Sequence, residues 1–389
     1  MDLKAIQSAL RERKFDAWLF YDHHHRDPIA YSILGMPAHL MVTRRWYYMV
    51  PAQGEPQKIN HRIESHHLDS LPGAKHEYSS WEEQQEALKE VLAPYKTLAM
   101  QYSPRNAIPY IGLVDAGTIE LLRSFGKEIV SSADLVTIFE ATWSEDQVRS
   151  HFEARDAVDR ITEEAFKEIG RRVRSGGTNE HEIQQWFLEA FRRDGLTTPD
   201  GPVVAVNANA GDPHYEPSSS RSSPIKEGDW VLLDVWAKKD RPNAVYYDIT
   251  WTGFVGKNPS QKQREVFDIV TGARDVGVRT MQEAISAGRK LYGWEVDKAT
   301  REFIASKGYG KYFTHRTGHS IGSADVHGNG PNIDNLETKD EREIIPFTCN
   351  SIEPGIYLPE FGVRSEVNVL VRPGKAEVTG KIQREIVII

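Results

Sequence analysis

Two carboxylates stand inside stretches that otherwise read as buried strands. Asp234 lies in Val-Leu-Leu-Asp-Val-Trp and Asp248 in Val-Tyr-Tyr-Asp-Ile-Thr-Trp. Both runs are rich in β-forming apolar residues, and Lys-Lys-Asp-Arg-Pro-Asn between them has turn composition. The pattern predicts a hairpin with Asp234 and Asp248 side by side. Two neighbouring buried carboxylates repel, and each is costly to desolvate. Shared protons, basic partners or a metal must offset that cost. A single Asp in a strand more often faces solvent, so the argument depends on repetition.

The pattern does repeat. Glu366 lies in Gly-Val-Arg-Ser-Glu-Val-Asn-Val-Leu-Val. Strand alternation puts Arg364, Glu366 and Asn368 on one face and Val363, Ser365, Val367 and Val369 on the other. Glu353, in Ser-Ile-Glu-Pro-Gly-Ile-Tyr, ends a strand at a Pro-Gly turn. Alone it reads as a turn-capping acid; beside three other strand acids it does not. His315, His319 and His327 fall within 13 residues, in His-Arg-Thr-Gly-His-Ser-Ile-Gly and Ala-Asp-Val-His, and His214 stands in Asp-Pro-His-Tyr-Glu-Pro. Such clustering suits metal or acid–base chemistry, although each histidine singly is as readily a satisfied loop residue.

Three weaker patterns are set aside. Gly318-His-Ser-Ile-Gly322 matches a nucleophile pattern, but it lacks the preceding strand and following helix that such a serine needs. His315 and His319 have the spacing of a zinc helix, but no Glu follows His315 and Gly318 disfavours a helix. His23-His24-His25 reads as a solvated loop, since no matching acids or cysteines surround it.

A chain of 389 residues exceeds one comfortable core, so two domains are expected. Residues 1–142 read as a small α/β domain. Ala17–Tyr21, Leu40–Val50 and Thr97–Gln101 are its expected strands, and Trp81–Leu92, begun by Ser80, an expected helix. Residues 143–389 follow. Ser144 with Gln147 forms a capping box opening a long helix. Thr178 is expected to cap a second helix that ends at Gly195. Gln261–Ala287 and Glu295–Lys307 are further expected helices. Strands are expected over Trp230–Trp236, Val245–Trp251, Cys349–Glu353 and Gly362–Val371. The order implies an α+β fold with helices covering a mainly antiparallel sheet. A net charge of -8 argues against nucleic-acid or anionic-membrane binding. Cys349 is the only cysteine, which excludes an intramolecular disulfide and fits a reducing compartment. No apolar run spans a bilayer, and the N-terminus lacks a signal-peptide core. A cytoplasmic protein is expected.

Together these residues resemble the pita-bread metallopeptidases, the group of prolidases, Xaa-Pro aminopeptidases and creatinases. The likeness is close over about residues 144–389 and weaker over the creatinase-type N-terminal region. It implies five metal ligands, Asp234, Asp248, His319, Glu353 and Glu366, holding two divalent ions. An oxygen-rich set of this kind favours Mn²⁺ over Co²⁺ or Zn²⁺. It implies a proline-specific peptidase that cleaves the X-Pro bond of dipeptides or short peptides with a water shared by the two ions. Glu353 would shuttle the proton. His214, His315 and His327 would line the substrate site, with His214 and His327 stabilising the oxyanion and Arg364 hydrogen-bonding the acids. It also implies a homodimer whose N-terminal domain lies near a neighbour's active site. The departures are Trp251 where many relatives carry Arg, Val367 in place of a frequent acid, a wider Asp234–Asp248 interval and His327 one residue further from His319. Amidinohydrolase chemistry and a non-enzymatic binding module are disfavoured by the intact ligand set; lyase chemistry on the same scaffold, which can keep the metals, stays an alternative.

Overall fold

The computed structural model describes residues 1–389. They divide into two compact units, Met1–Glu140 and Ala141–Ile389.

The first unit is built on a six-stranded sheet in the order β4-β3-β2-β1-β5-β6. The strands are β1 (Ala17–Asp22), β2 (Trp46–Pro51), β3 (Gln57–His61), β4 (Ala74–Tyr78), β5 (Thr97–Met100) and β6 (Glu128–Ser131). β2 runs antiparallel to β1 and β3; β1/β5, β5/β6 and β3/β4 are parallel. All strands but β2 therefore point the same way. β1 and β2 are buried at every position, as strands covered on both faces must be. On one face Trp18, Phe20, Trp46 and Tyr48 pack with α1 (Leu3–Arg13) and α2 (Pro28–Leu34). On the other, Leu19, Tyr47 and Met49 pack with α3 (Trp81–Leu92) and α4 (Ala116–Ser124). The strand expected over Leu40–Val50 begins only at Trp46. Before it, the Glu64 carboxylate accepts from the amides of Thr43 and Arg44, giving that backbone partners outside the ladder.

The second unit is α+β, as expected. Trp230–Lys239 and Tyr247–Phe254 form the hairpin, with Val203–Val206 antiparallel on the other side of Trp230–Lys239. Cys349–Ile352, Val367–Arg372 and Lys375–Val378 form a second antiparallel sheet. Val231, Leu233, Val235 and Ile249 pack with the helices Glu145–Ser175 and Glu180–Arg193. Val367, Val369 and Val371 pack with Gln261–Ser286 and Gly293–Ser306. The odd-numbered positions thus meet helices, which leaves even-numbered Asp234, Asp248 and Glu366 on the opposite side.

Two expectations need correction. Asn179, not Thr178, caps the second helix by accepting from the Glu182 amide. The run Gly362–Val371 is also two strands rather than one, Gly362–Arg364 and Val367–Arg372. The first pairs with Gly355–Tyr357 and the second with Cys349–Ile352. The break falls opposite Glu353-Pro354, where proline has no amide to donate. The Glu366 amide turns instead to the Thr250 carbonyl at 3.1 Å.

The capping box at Ser144 and Gln147 is formed in both directions. Ser144→Ala should lower stability by about 1 kcal/mol, read as an earlier urea midpoint with an unchanged slope. An unchanged midpoint would show that tertiary packing alone holds this helix end.

Candidate metal centre

The hairpin register sets the geometry of the acids. Asp234 pairs with Thr250, and Asp248 with Trp236. The two Asp residues are therefore side by side on one face as diagonal neighbours, offset by two residues rather than directly opposite. Thr250 occupies the position across from Asp234. Its hydroxyl lies 3.1 Å from Asp234 Oδ1 and 2.9 Å from Glu366 Oε2, and it accepts from Arg364 Nε at 3.0 Å. One hydroxyl proton is thus shared between two carboxylates. Asn368 secures the neighbouring strand: its side chain accepts from the Asp248 amide and donates to the Asp248 carbonyl, at 3.0 and 2.8 Å.

His319 arrives on an extended segment that runs beside Ser351–Glu353. The Ser351 amide donates to the His319 carbonyl at 2.9 Å and the Glu353 amide to Thr317 at 2.7 Å. Gly318 permits this approach, since a Cβ there would stand 2.0 Å from the Ser351 carbonyl oxygen. The Ser351 hydroxyl accepts from the His319 amide and reaches Glu353 Oε1 at 3.0 Å. His319 Nδ1 lies 3.0 Å from the Ser320 carbonyl, which can only accept, so the ring proton sits on Nδ1. Nε2 then points its lone pair at Asp248 Oδ2 and Glu353 Oε1, 3.4 and 3.5 Å away. Ser320 itself is buried and leads into a hairpin closed by Ile321 and His327, so no nucleophile elbow exists.

A lone pair facing carboxylate oxygens is repulsive unless a cation lies between them. Two further features agree. Asp248 Oδ1 and Glu366 Oε1 are buried without a hydrogen-bond partner. Ligand atoms of Asp248, His319 and Glu366 all lie within 4.8 Å of one another. Glu353 joins this group through His319, and Asp234 through Thr250. The donor set therefore suits divalent cations.

Electrostatics lead to the same place. Burial, then the charge of Asp234, pushes the Asp248 carboxyl well above its ordinary range. Burial, then Asp248 and Glu353, does the same to Glu366. Burial raises Glu353, with His319 and Arg364 holding it back. Burial lowers His319, keeping the ring neutral. Against four carboxylates stands one buried guanidinium. Arg364 donates to Asp234, to Thr250 and, at 3.2 Å, to the Tyr357 hydroxyl. Tyr357 in turn meets His315 Nε2 at 2.7 Å, while His315 Nδ1 lies 2.6 Å from the Arg316 carbonyl. Both His315 nitrogens are thus engaged, and it reaches the acids only through Tyr357 and Arg364. His327 is different: its exposed ring stands over His319 with centroids 4.2 Å apart. The two adjacent rings cannot both carry a proton, and that repulsion, then partial desolvation, pushes His327 down to about 3. His214 is exposed and near enough to act on His327.

Thr250, Asn368, Ser351 and Tyr357 were not singled out as site residues. Thr250 and Asn368 carried a usable signal, since each shares strand parity with an acid. Ser351 and Tyr357 carried none. Trp251 pairs with Leu233 and packs against the helix-facing cluster, and Val367 pairs with Ile352 in another. Both departures lie on faces turned away from the acids.

The raised carboxyls bind protons more tightly folded than unfolded. In metal-free protein the penalty from these acids should therefore be absent below the ordinary carboxylate range and grow as pH rises from that range toward the raised values. Asp248→Asn removes one repelling charge. At about pH 8 it should raise the metal-free melting temperature, by about 2–4 °C per kcal/mol relieved, and at about pH 5 the gain should shrink. Mn²⁺ should stabilise the natural chain and not the variant. A lower melting temperature for the metal-free variant at the higher pH would sink this account of the acids.

Known proteins place the chain. The sequence pattern of metallopeptidase family M24 matches residues 153–373, more than half of the chain. An Xaa-Pro dipeptidase of Pyrococcus horikoshii is 29% identical over 300 residues, covering 75% of this chain and 79% of the relative. Among solved structures, the dipeptidase PepE of Mycobacterium ulcerans superposes with a TM-score of 0.71 at 21% identity, covering 99% and 96% of the two chains. The X-Pro aminopeptidase of Thermotoga maritima gives 0.59 at 22%, covering 97% and 99%. The architecture is thus a pita-bread domain preceded by a creatinase-type α/β unit, and the chain belongs to metallopeptidase family M24.

Proposed function

We propose that this protein is a dinuclear-metal, proline-specific peptidase that hydrolyses the X-Pro bond at the N-terminus of dipeptides or short peptides. The observation that carries the reading is the pair of unpartnered oxygens, Asp248 Oδ1 and Glu366 Oε1, beside the bare Nε2 of His319. The printed identities of the relatives, Xaa-Pro dipeptidase and X-Pro aminopeptidase, supply the substrate class. Asp234, Asp248, His319, Glu353 and Glu366 are the ligands in this reading, with Mn²⁺ favoured by four carboxylates and one imidazole. Divalent ions held there supply Lewis acidity, acidifying the attacking water and polarising the scissile carbonyl.

The protein's own groups do the rest. Burial raises the Glu353 carboxyl above its ordinary value, which makes it a better proton acceptor. It takes a proton from the attacking water and delivers it to the leaving nitrogen. Delivery matters because a prolyl nitrogen leaves a tertiary amide. Ser351 orients Glu353 through its hydroxyl. His327, neutral at physiological pH, offers an N–H rather than a cation to the oxyanion, with His214 beside it. Arg364 holds Asp234 and Thr250 in place and is itself held by Tyr357. His315 acts at one remove, by fixing Tyr357. No helix is long and apolar enough to cross a membrane. The reading extends to a cytoplasmic homodimer, checked by light scattering of the purified chain.

With Mn²⁺ the protein should release free X from X-Pro or X-Pro-Y peptides, and EDTA should abolish that release until Mn²⁺ is restored. An inactive Mn²⁺-loaded protein across such a panel would end the proposal. Glu353→Gln should lower kcat by at least about 100-fold. His327→Ala should lower kcat by about 100-fold while metal content stays unchanged. A His327 variant that changes only KM would show that the ring binds ground state and transition state alike.

A further inference from the structure

The first unit contains a cavity of about 580 Å³ whose lining residues all fall between Tyr21 and Leu121. It sits at one end of the sheet. β1, β3 and β4 end there, at Tyr21–His23, His61 and Tyr78–Ser80, and β2 begins there, after Arg44 and Arg45. These are the carboxyl ends of parallel-running strands, where open α/β sheets bind ligands. The N-termini of α3 and α4 open into the same space through Ser80 and Gly117, and Gly117 leaves its backbone amide bare of a side chain. Aligned helix amides favour an anion.

The lining is basic. Arg26, Arg44 and Arg45 contribute guanidinium groups, with His23 and His61 beside them. Asp115 is the only acid, and its two oxygens are occupied by the Thr118 amide and hydroxyl at 2.9 and 2.8 Å. The loop bearing His23 and Arg26 is built rather than loose. The buried Asp22 carboxylate accepts from the amides of His25, Arg26 and Asp27 and from the Tyr31 hydroxyl. That clamp holds His24 and His25 at φ of 63° and 55°.

Two polar groups here lack the partners their burial calls for. Arg45 is half-buried and forms no ion pair. Tyr47 is 1% exposed, and its hydroxyl has no hydrogen-bond partner. The groups close enough to act on that hydroxyl are Tyr21, Arg45, Tyr78 and Asp115, and all of them line the cavity. At the lip stands Trp81, 61% exposed although it is a large aromatic. An aromatic face beside a basic recess suits a ligand with an anionic end and a planar body.

We propose that this cavity binds a small phosphorylated molecule of nucleotide size. Its phosphate lies against Arg45 and the α4 N-terminus at Gly117, and its planar body covers Trp81. His23, in a histidine run that reads in sequence as a solvated turn, is then part of one wall of a site, with Arg26 beside it.

The test is calorimetric titration of the full, metal-loaded chain with inorganic phosphate, adenosine monophosphate and adenosine. Saturable binding of the monophosphate is expected, tighter than inorganic phosphate, with adenosine at least about tenfold weaker. Arg45→Gln should weaken both phosphate-bearing probes by about tenfold or more. Trp81→Ala should weaken the monophosphate alone. Circular dichroism confirms that both variants fold. Absence of binding, or binding that Arg45→Gln leaves intact and so belongs to the metal centre, would overturn the site. Arg45-dependent phosphate binding with no gain for the monophosphate would overturn the assignment of Trp81.

Discussion

The second unit is organised by a surplus of buried negative charge. Asp248, Glu366 and Glu353 are raised by burial and by one another, and Arg364 alone opposes them as a fixed cation. The rest of the site can be derived from containing that surplus. Thr250 stands between Asp234 and Glu366 and offers one proton to two acceptors. Ser351 donates to Glu353, and Asn368 ties down the Asp248 backbone. None of these contacts neutralises a carboxylate. They fix positions and leave the charge for divalent cations, which bind ionised carboxylates and neutral imidazole.

This constraint also explains an irregularity in the sheet. A continuous Gly362–Val371 strand would pair its amides along one neighbour. Pro354 accepts from the Ser365 amide but has no amide to return, so the ladder stops there and Glu366 gives its amide to the Thr250 carbonyl. The chain thereby passes from the Gly355–Tyr357 hairpin to the Cys349–Ile352 sheet at the residue whose carboxylate must reach Asp248. The break lets one segment serve two sheets, with Arg364 before it and Glu366 after it both bonded to Thr250.

The acids were legible before any coordinates because carboxylates in apolar, β-branched runs are anomalous. The helix start at Ser80 and the capping box at Ser144 were legible because their pattern is local. The hairpin register was not. Composition shows that a turn lies between Lys238 and Asn243, but the diagonal offset of Asp234 and Asp248 depends on how many loop residues remain unpaired. Tyr357 was invisible for a different reason. Its hydroxyl meets Arg364 and His315 across strands and loops, and nothing in Gly-Ile-Tyr-Leu marks that tyrosine as polar in function. The cavity of the first unit was the least legible feature, since its walls come from strand ends and helix starts spread between Tyr21 and Leu121 that only the fold brings together.

Trp251 and Val367 show how a departure in sequence should be weighed. Both adjoin positions that matter, one residue past Thr250 and one past Glu366. In a strand, one residue is the whole distance between two faces. Trp251 meets the cluster built on the Glu145–Ser175 helix, and Val367 packs with Ile352 and the Gln261–Ser286 helix. Neither side chain shares the acids' face. Any effect they have on reactivity must pass through helix packing, which would shift whole strands rather than one ligand. His214 and His327 are placed differently, His327 against the His319 ring and His214 near His327, both exposed. Differences in substrate preference between this chain and its relatives are therefore to be sought at that rim before they are sought at Trp251.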